Sequence, residues 1–151
     1  MNTEQTHGVI DQSHIDRKTD YLFRISIKGI IRSSDGNVLV VKEAGRTGWD
    51  LPGGGMDHTE TIKQAIAREM HEEVSLTGDF DYRIIAVEEP KILERINVWQ
   101  MRLVFEITPT TMTFAPGEDG DEVAFIDPNQ LKDSANKTER RVYEYAQLLP
   151  R

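Results

Sequence analysis

The glutamates near the end of one predicted helix are the residues best suited to carry chemistry in this chain. At about 100° per residue, Glu69 and Glu73 point within roughly 40° of each other, and Glu72 lies farther round the same side. Ile62 and Ile66 bracket the direction of Glu73, so the inward stripe of the helix changes from isoleucine to carboxylate. Like charges at these spacings repel, inward carboxylates are costly to bury, and the negative end of the helix dipole worsens both effects. The pattern therefore predicts a compensating positive charge.

A divalent cation is the compensating charge that these residues favour. Arg68 projects elsewhere on the helical wheel and has a more natural partner in Glu60. Carboxylate oxygens, with no His or Cys at metal-binding spacing, favour Mg²⁺ or Mn²⁺ over zinc. The run 51–55, Leu-Pro-Gly-Gly-Gly, comes just before the helix and can bring backbone carbonyl or amide groups close to a metal or a phosphate. Together these features indicate attack of water on a phosphorus centre, and the alternative is a solvated acidic helix face.

The elements that must position these residues are predicted to be strands and two helices. Apolar patterns predict strands at 21–28, 38–41, 82–87, 97–108 and 122–126, and helices at 58–74 and 137–149. The first two strands are predicted to form a hairpin across the turn at 33–37, and Asp57 or Thr59 is predicted to cap the first helix. This order of strands and helices predicts a mixed sheet flanked by helices, within the α+β or α/β classes.

Composition limits the partners and the location. Lys and Arg total 18 against 26 Asp and Glu, a net charge of −8, so binding to duplex nucleic acid by charge alone is not expected. The sequence has no cysteine, which excludes disulfides, thiolate metal sites and a cysteine nucleophile. No stretch has the length and apolar character of a membrane span, and residues 1–20 do not resemble a secretory signal, so a cytoplasmic location is expected.

The domain organisation is predicted to be a polar N-terminal arm, residues 1–20, followed by one domain, residues 21–151. The arm is either a loose segment or a docking segment for a second subunit, which leaves a homodimer open.

The Nudix (MutT-like) hydrolases are the family that these residues resemble. In this sequence the family's positions read Gly54, five residues, Glu60, seven residues, Arg68-Glu69, Met70, His71, Glu72-Glu73, Val74, Ser75 and Leu76. The lead-in 49–54, Trp-Asp-Leu-Pro-Gly-Gly, also looks like that of the family. Ser75 stands where the family has a glycine that lets the chain leave the helix in a left-handed conformation, and Gly78 is expected to take over that role.

This resemblance implies the α/β/α sandwich of the Nudix fold and a metal-dependent hydrolase. It implies that the carbonyl of Gly53 and three glutamates hold Mg²⁺ or Mn²⁺, namely Glu69, Glu72 and Glu73. Arg68 and Glu60 would orient those carboxylates. The implied reaction is hydrolysis of a diphosphate linkage in a nucleoside diphosphate joined to another group. The substrate would be a small-molecule nucleotide, either a nucleoside triphosphate or an ADP-ribose-like compound.

The general base varies within this family between a glutamate of the motif and an acidic residue on a later loop. We rank Glu122 first among the later acidic residues, because it begins a predicted strand that would fix its direction. Pro90 lies near the position at which the family's ADP-ribose hydrolases tend to carry a proline. Two alternatives to an active hydrolase stay open. One is a catalytically silent nucleotide-binding or regulatory module on the same fold, and the other is a domain whose acidic helix is merely solvated.

Overall fold

The computed structural model describes residues 9–11 and 19–148, so most of the predicted N-terminal arm lies outside the described residues. The strands are β1 (Val9–Asp11), β2 (Thr19–Tyr21), β3 (Arg24–Ile30), β4 (Val38–Glu43), β5 (Gly53–Gly55), β6 (Phe80–Val87), β7 (Lys91–Leu93), β8 (Val98–Pro109) and β9 (Gly120–Ile126). The helices are α1 (Ile62–Val74) and α2 (Lys137–Ala146), with a 3-10 turn at Pro128–Leu131 between β9 and α2. Neither helix has the length and apolar character needed to cross a bilayer.

A mixed sheet forms the centre of the molecule, as predicted. Its strands follow the order β5-β3-β8-β6, and β7 pairs with the start of β8. The β3–β8 pair is parallel and the other pairs are antiparallel. A separate antiparallel ribbon joins β4 to β9.

The predicted hairpin between the first two long strands forms only next to its turn, where Leu39 donates to the carbonyl of Ile31 and Ser33 to that of Asn37. β3 and β4 meet at an isolated bridge between Arg32 and Val38, while β4 forms its ladder with β9. The reason lies in β3, which is buried along most of its length and has β5 on one edge and β8 on the other. Both of its hydrogen-bonding edges are therefore occupied, and the turn at 33–37 carries the chain out of the sheet instead of back along it.

The two helices pack on opposite faces, which confirms the α/β/α sandwich. Successive residues of a strand point to opposite faces, and on β8 Phe105 packs into the core beneath α1 while Val104 packs into the core beneath α2. Met70 of α1 contributes to the first core and Val142 of α2 to the second. α1 is therefore held against the face of the sheet from which its glutamates can reach the glycine strand β5.

The ends of α1 differ from the prediction. The helix begins at Ile62, and its cap is Thr61, which exchanges hydrogen bonds with Gln64 as a capping box, rather than Asp57 or Thr59. Thr59 has φ +68°, so the chain before Thr61 cannot continue the helix. At the other end Ser75 itself takes the left-handed conformation, with φ 58°, so the exit expected at Gly78 is made at Ser75. α2 ends at Ala146, and the remainder of its predicted range reaches residue 149, outside the described residues.

Candidate active site

Glu73 is a carboxylate buried beneath the glycine strand. Its residue is only 5% exposed, and its Oε2 accepts a hydrogen bond from the backbone N–H of Gly53 at 2.8 Å. Burial raises the pKa of Glu73 to about 8, although the positive charge of Lys28 and the Gly53 hydrogen bond both act to lower it. The inward direction that the helical periodicity predicts for Glu73 is thus the one the structure shows.

Glu69 lies one turn earlier and faces the same strand. A methyl group built on Gly54 would come 2.7 Å from both carboxylate oxygens of Glu69, so only a glycine leaves room for that carboxylate. Burial raises the pKa of Glu69, and its ion pair with Arg68 acts in the opposite direction. Glu72 is more open, with 34% of its side chain exposed. The solvent exposure of the three glutamates therefore increases from the buried Glu73 to the accessible Glu72.

Arg68 connects these carboxylates to the chain before the helix. Its guanidinium is paired with Glu60, contacts Glu69 at 2.8 Å and Glu72 at 3.3 Å, and donates to the carbonyl of Gly55 at 3.0 Å. The hydrogen bond to Glu60, followed by those to Glu69, raises the pKa of Arg68, so the guanidinium stays charged. The expected Glu60 partnership is present. The expectation that Arg68 projects away from the other glutamates is wrong, because its long side chain spans the turn between them.

Two further groups near the carboxylates, Lys28 and Glu43, were missed by the sequence analysis. Lys28 of β3 is buried, donates to Asp50 at 2.9 Å and to the carbonyl of Leu51 at 3.1 Å, and its charge acts on both Glu69 and Glu73. Glu43, at the end of β4, lies close enough to raise the pKa of Glu73 further. Nothing in the local sequence marks these residues, since only the pairing of distant strands brings them to the site.

The donor chemistry of this site fits a hard divalent cation. Buried carboxylates face a glycine backbone that has no room for a side chain, and oxygen donors of this kind suit Mg²⁺ or Mn²⁺. As the side chains lie, no three acidic or histidine groups among the described residues converge on one point. Glu69 and Glu72 share Arg68 as a partner, and Glu73 accepts from the N–H of Gly53, so each carboxylate already has a polar partner.

Glu122 is not brought together with these carboxylates. It lies on β9 opposite Lys42, which it contacts at 3.3 Å, and 56% of its side chain is exposed. Lys42 in turn lies over the ring of Trp49, 4.3 Å from its centroid. Val40, two residues before Lys42 on the same face of the ribbon, belongs to the core beneath α2, so Glu122 faces the side opposite α1.

The acidic loop before β9 contacts α1 through its backbone. The N–H groups of Ala115, Gly117 and Asp119 donate to three successive carbonyls of the last turn of α1, at 3.1, 3.1 and 3.2 Å. These carbonyls belong to Val74, Glu73 and Glu72. A methyl group on Gly117 would meet the carbonyl oxygen of Glu72 at 2.0 Å. The amides of the loop therefore satisfy the last carbonyls of the helix. Left unpaired, these carbonyls would form a negative helix end that opposes carboxylates at this position.

A cleft of about 540 Å³ opens beside the carboxylates, over β3 and β8 and against α2. Gly53 and Gly54 lie at its edge, and its volume is in the usual range for sites that take small molecules. A ligand in this cleft would reach the glycine strand next to Glu69 and Glu73.

Two glycine substitutions should distinguish a loss of metal binding from a loss of folding. Gly54→Ala would displace the Glu69 carboxylate, and we expect Mn²⁺ affinity to fall about tenfold or more with little change in Tm. Gly53→Ala would place its methyl group 2.0 Å from the carbonyl oxygen of Ile27 at a φ of +148°, and we expect this variant not to fold. Thermal melting and Mn²⁺ titration of both proteins provide the measurement. Unchanged Mn²⁺ affinity in a folded Gly54→Ala protein would contradict this account of the Glu69 cradle.

Comparison with known proteins supplies independent evidence of ancestry. The family model described as the NUDIX domain matches residues 22–146. An RNA pyrophosphohydrolase of Aliivibrio fischeri is 44% identical over 86 residues, which cover 54% of this chain and 50% of that protein. The chain thus spans about half the length of the curated relatives it matches first.

Solved structures agree on the fold. A MutT protein from Methanosarcina mazei superposes with a TM-score of 0.67 at 20% identity, covering 83% of this chain and 93% of that one. An ADP-ribose pyrophosphatase from Streptococcus suis superposes with a TM-score of 0.58 at 19% identity, covering 83% and 87% of the two chains. With a family match that spans most of the sequence and with the mixed sheet and two flanking helices of these structures, the chain belongs to the Nudix family.

Proposed function

We propose that this protein is a divalent-metal-dependent hydrolase that cleaves a diphosphate linkage in a nucleotide. The observation that carries the proposal is the pair of buried carboxylates, Glu69 and Glu73, held against Gly53 and Gly54 at the edge of an open cleft. Arg68 and Lys28 supply positive charge beside these carboxylates, yet burial still raises the pKa of both, so a further cation would stabilise their ionised forms. Membership of the Nudix family supports the same conclusion.

In this proposal Glu69, Glu72, Glu73 and the carbonyl of Gly53 hold Mg²⁺ or Mn²⁺. When bound, such a cation screens the phosphate charges and makes a water molecule more acidic. The side chains around it are fixed by Arg68, which is itself fixed by Glu60 and the carbonyl of Gly55. Water attacks one phosphorus of the diphosphate, the bridging P–O bond breaks, and the two products leave as phosphate esters or as an ester and pyrophosphate.

Two carboxylates outside the motif are compared as the general base that takes the proton from water. Both are ion-paired, Glu43 with Arg46 and Glu122 with Lys42, but Glu43 lies close to Glu73 and lines the cleft, whereas Glu122 is on the other face of the β4–β9 ribbon. The position of Glu43 favours it over Glu122, the candidate from the sequence. Glu43→Gln should then reduce kcat more than Glu122→Gln, and the reverse order would restore Glu122.

The substrate class is a nucleotide with a diphosphate at its 5′ end. The relatives' names include RNA pyrophosphohydrolase, MutT and ADP-ribose pyrophosphatase. The first and the last of these names share a pyrophosphate bond and differ in the group attached to it. The acidic net charge of −8 disfavours a long nucleic acid held by charge along the surface, and a cleft of this size favours the nucleotide end itself.

The experiment is a turnover assay on nucleoside triphosphates, ADP-ribose, other nucleotide sugars and a short 5′-triphosphorylated RNA, each with Mg²⁺, Mn²⁺ or chelator. Glu73→Gln is the test variant and Glu144→Gln, an exposed carboxylate on α2, is the matched control. Metal-dependent turnover that is lost in Glu73→Gln and retained in Glu144→Gln supports the proposal. Nucleotide binding without turnover of any substrate would favour the silent-module alternative.

A further inference from the structure

β6 is the outer strand of the mixed sheet, and one of its two edges is unpaired in the part of the chain that the structure describes. The order β5-β3-β8-β6 leaves β8 on one side of β6 and no described strand on the other. An unpaired edge presents a row of backbone N–H and C=O groups, which readily form a ladder with a strand of another chain. The glycine strand β5 lies at the opposite end of the sheet. A partner on β6 would therefore extend the sheet without covering the candidate active site.

One face of β6 is apolar and only partly covered. Tyr82 lies opposite Ile107 and Ile84 lies opposite Phe105, and both of these β8 residues belong to the core beneath α1. α1 itself packs chiefly over β3, β5 and the β4–β9 ribbon, so this face of β6 is left open. Tyr82 is 39% exposed and Ile84 is 50% exposed. Covering this row would remove apolar surface from water and stabilise the covered form.

The other face of β6 carries one incompletely matched charge of each sign. Arg83 contacts Glu106 at 3.1 Å, but Arg32 contacts the same carboxylate at 3.8 Å, so one acidic group serves two arginines. The Arg83 side chain is 55% exposed. Asp81 forms no ion pair with any of the described residues. Because Asp81 and Arg83 point to the same face, a second β6 strand running antiparallel can set each of them opposite its counter-charge.

A two-fold axis allows few registers of β6 against a second β6. Such an axis keeps every side chain on its own face of the sheet, so it must pass through a residue of the strand. An axis at Asp81 or at Arg83 puts two like charges directly opposite each other, which is unfavourable. An axis at Ile84 puts Arg83 opposite Ile85, where the ladder with β8 has its bulge. An axis at Tyr82 puts Asp81 opposite Arg83 twice and brings apolar residues together on the other face.

We propose that two copies of this chain pair along β6, antiparallel, about a two-fold axis at Tyr82. Each Asp81 then faces Arg83 of the other copy. On the apolar face each Ile84 lies beside Phe80 of the other copy, and the two Tyr82 side chains are adjacent. The sheet runs continuously from β5 of one copy to β5 of the other, with one candidate active site at each end. The inference does not rest on the proposed function, because none of its tests depends on turnover.

Sedimentation velocity of the full chain over a range of concentrations tests for the dimer. Pairing along residues 80–84 makes a small interface, so we expect a reversible dimer with a Kd of about 1–100 µM. The mean sedimentation coefficient should therefore rise as the protein concentration is raised from about 1 to 500 µM. A chain that stays monomeric at about 500 µM would overturn the proposal.

Charge reversals test the register. Arg83→Asp sets Asp81 against a second acid and Asp81→Arg sets Arg83 against a second arginine, so each variant should raise the Kd about tenfold or more. The double variant restores opposite charges in the same register and should return the Kd to within about threefold of the parent value. Lys132→Asp, at an exposed position after the 3-10 turn, is the matched control and should leave the Kd unchanged. A double variant as weak as the single ones, or an equal loss in the control, would overturn the proposal.

A cysteine placed on the axis gives a second test that does not depend on charge. The sequence has no cysteine, so a single introduced thiol can be followed without background. Tyr82→Cys puts two thiols opposite each other, with their Cβ atoms about 4.5–5.5 Å apart, and a short bifunctional thiol reagent should link the two copies. Val87→Cys is the control, because Val87 lies on the same strand and is 56% exposed but is far from its own counterpart in this register. Equal linking of the two variants at the same protein concentration would overturn the proposal.

Discussion

Replacing Glu73 by Gln should abolish metal-dependent turnover, with kcat lowered by about 10³-fold or more. Groups that merely orient a metal ligand cost about 10- to 100-fold when they are removed, and Glu73 is proposed as a ligand itself. Gln retains the shape and an oxygen that accepts from Gly53, so the loss would report the charge rather than the packing. Steady-state rates with saturating Mg²⁺ or Mn²⁺, with Glu144→Gln as control, provide the measurement. Turnover within tenfold of the parent protein would remove Glu73 from the proposed metal site.

The same substitution should stabilise the metal-free protein at alkaline pH. The pKa of Glu73 is about 8 in the folded protein and about 4.5 when the group is exposed in the unfolded chain, so the folded state binds this proton more tightly. Its contribution to the free energy of unfolding is therefore fully present below about pH 4.5 and is lost as pH rises through about 8. Since one pKa unit corresponds to about 1.4 kcal/mol, the loss amounts to a few kcal/mol.

Denaturant melts of the metal-free protein between pH 5 and 9, in chelator, test this effect. The parent protein should lose stability across this range, and Glu73→Gln should show a flatter profile and a higher midpoint at about pH 8. Adding Mn²⁺ should restore the parent protein at pH 8 and leave the variant unchanged. A variant that is less stable than the parent at pH 8 would mean that the buried carboxylate is already compensated without metal.

Replacing Arg68 by Met should lower kcat by about 10²-fold while changing metal affinity much less. Arg68 connects Glu60, Glu69 and the carbonyl of Gly55, so its loss frees the Glu69 side chain and weakens binding through lost orientation. Removing a positive charge from beside the metal site acts in the opposite direction, because it favours binding of a cation. These two effects on metal affinity partly cancel. The loss of Glu69 orientation lowers kcat, and no opposing effect on kcat offsets it.

Mn²⁺ titration and steady-state kinetics on the same preparation separate these quantities. Arg68→Lys keeps the charge but lacks the planar fork that contacts several acceptors at once, so it should recover little of the lost rate. Glu60→Gln should act in the same direction with a smaller effect, and the double variant should be less than additive, because both residues act through one contact. Full additivity would show that Arg68 and Glu60 act independently, and full rescue by Lys would show that Arg68 acts by charge alone.

The sequence was sufficient to predict the parts of the site that depend on local spacing. Helical periodicity put Glu69 and Glu73 on one side, and the glycine run could be placed next to them because it precedes the same helix. Both inferences rest on residues separated by few positions, for which backbone geometry is nearly fixed. The charge partner of Arg68 was foreseen in Glu60, but its reach to Glu69 and Glu72 depends on a rotamer that a helical wheel does not describe.

The parts that were missed depend on pairings between distant segments. Lys28 and Glu43 reach the carboxylates because β3 lies inside the sheet and β4 leaves it, and the incorrect hairpin prediction hid that arrangement. The contact of Arg102 with the hydroxyl of Tyr145, at 3.4 Å, likewise requires the packing of α2 against β8. The start of α1 was misplaced because an acidic or hydroxyl residue is a plausible cap at several adjacent positions. The left-handed conformation of Thr59 rules out a helix that starts before Thr61, but this conformation is not evident from the residue type.

The loop before β9 limits whether the segment that carries the glutamates can be transferred to another protein. Its backbone amides, and not its acidic side chains, satisfy the carbonyls at the end of α1, and Gly117 is confined by the carbonyl oxygen of Glu72. Replacing the acids of this loop is therefore compatible with the path of the chain, whereas a side chain at Gly117 is not. The segment from Gly53 to Leu76 is consequently not a self-contained cassette. Grafted alone onto another scaffold, it would keep its Ser75 cap, but the carbonyls of Glu72, Glu73 and Val74 would lack their amide partners, so the graft would need a second, sequence-distant segment to accompany it.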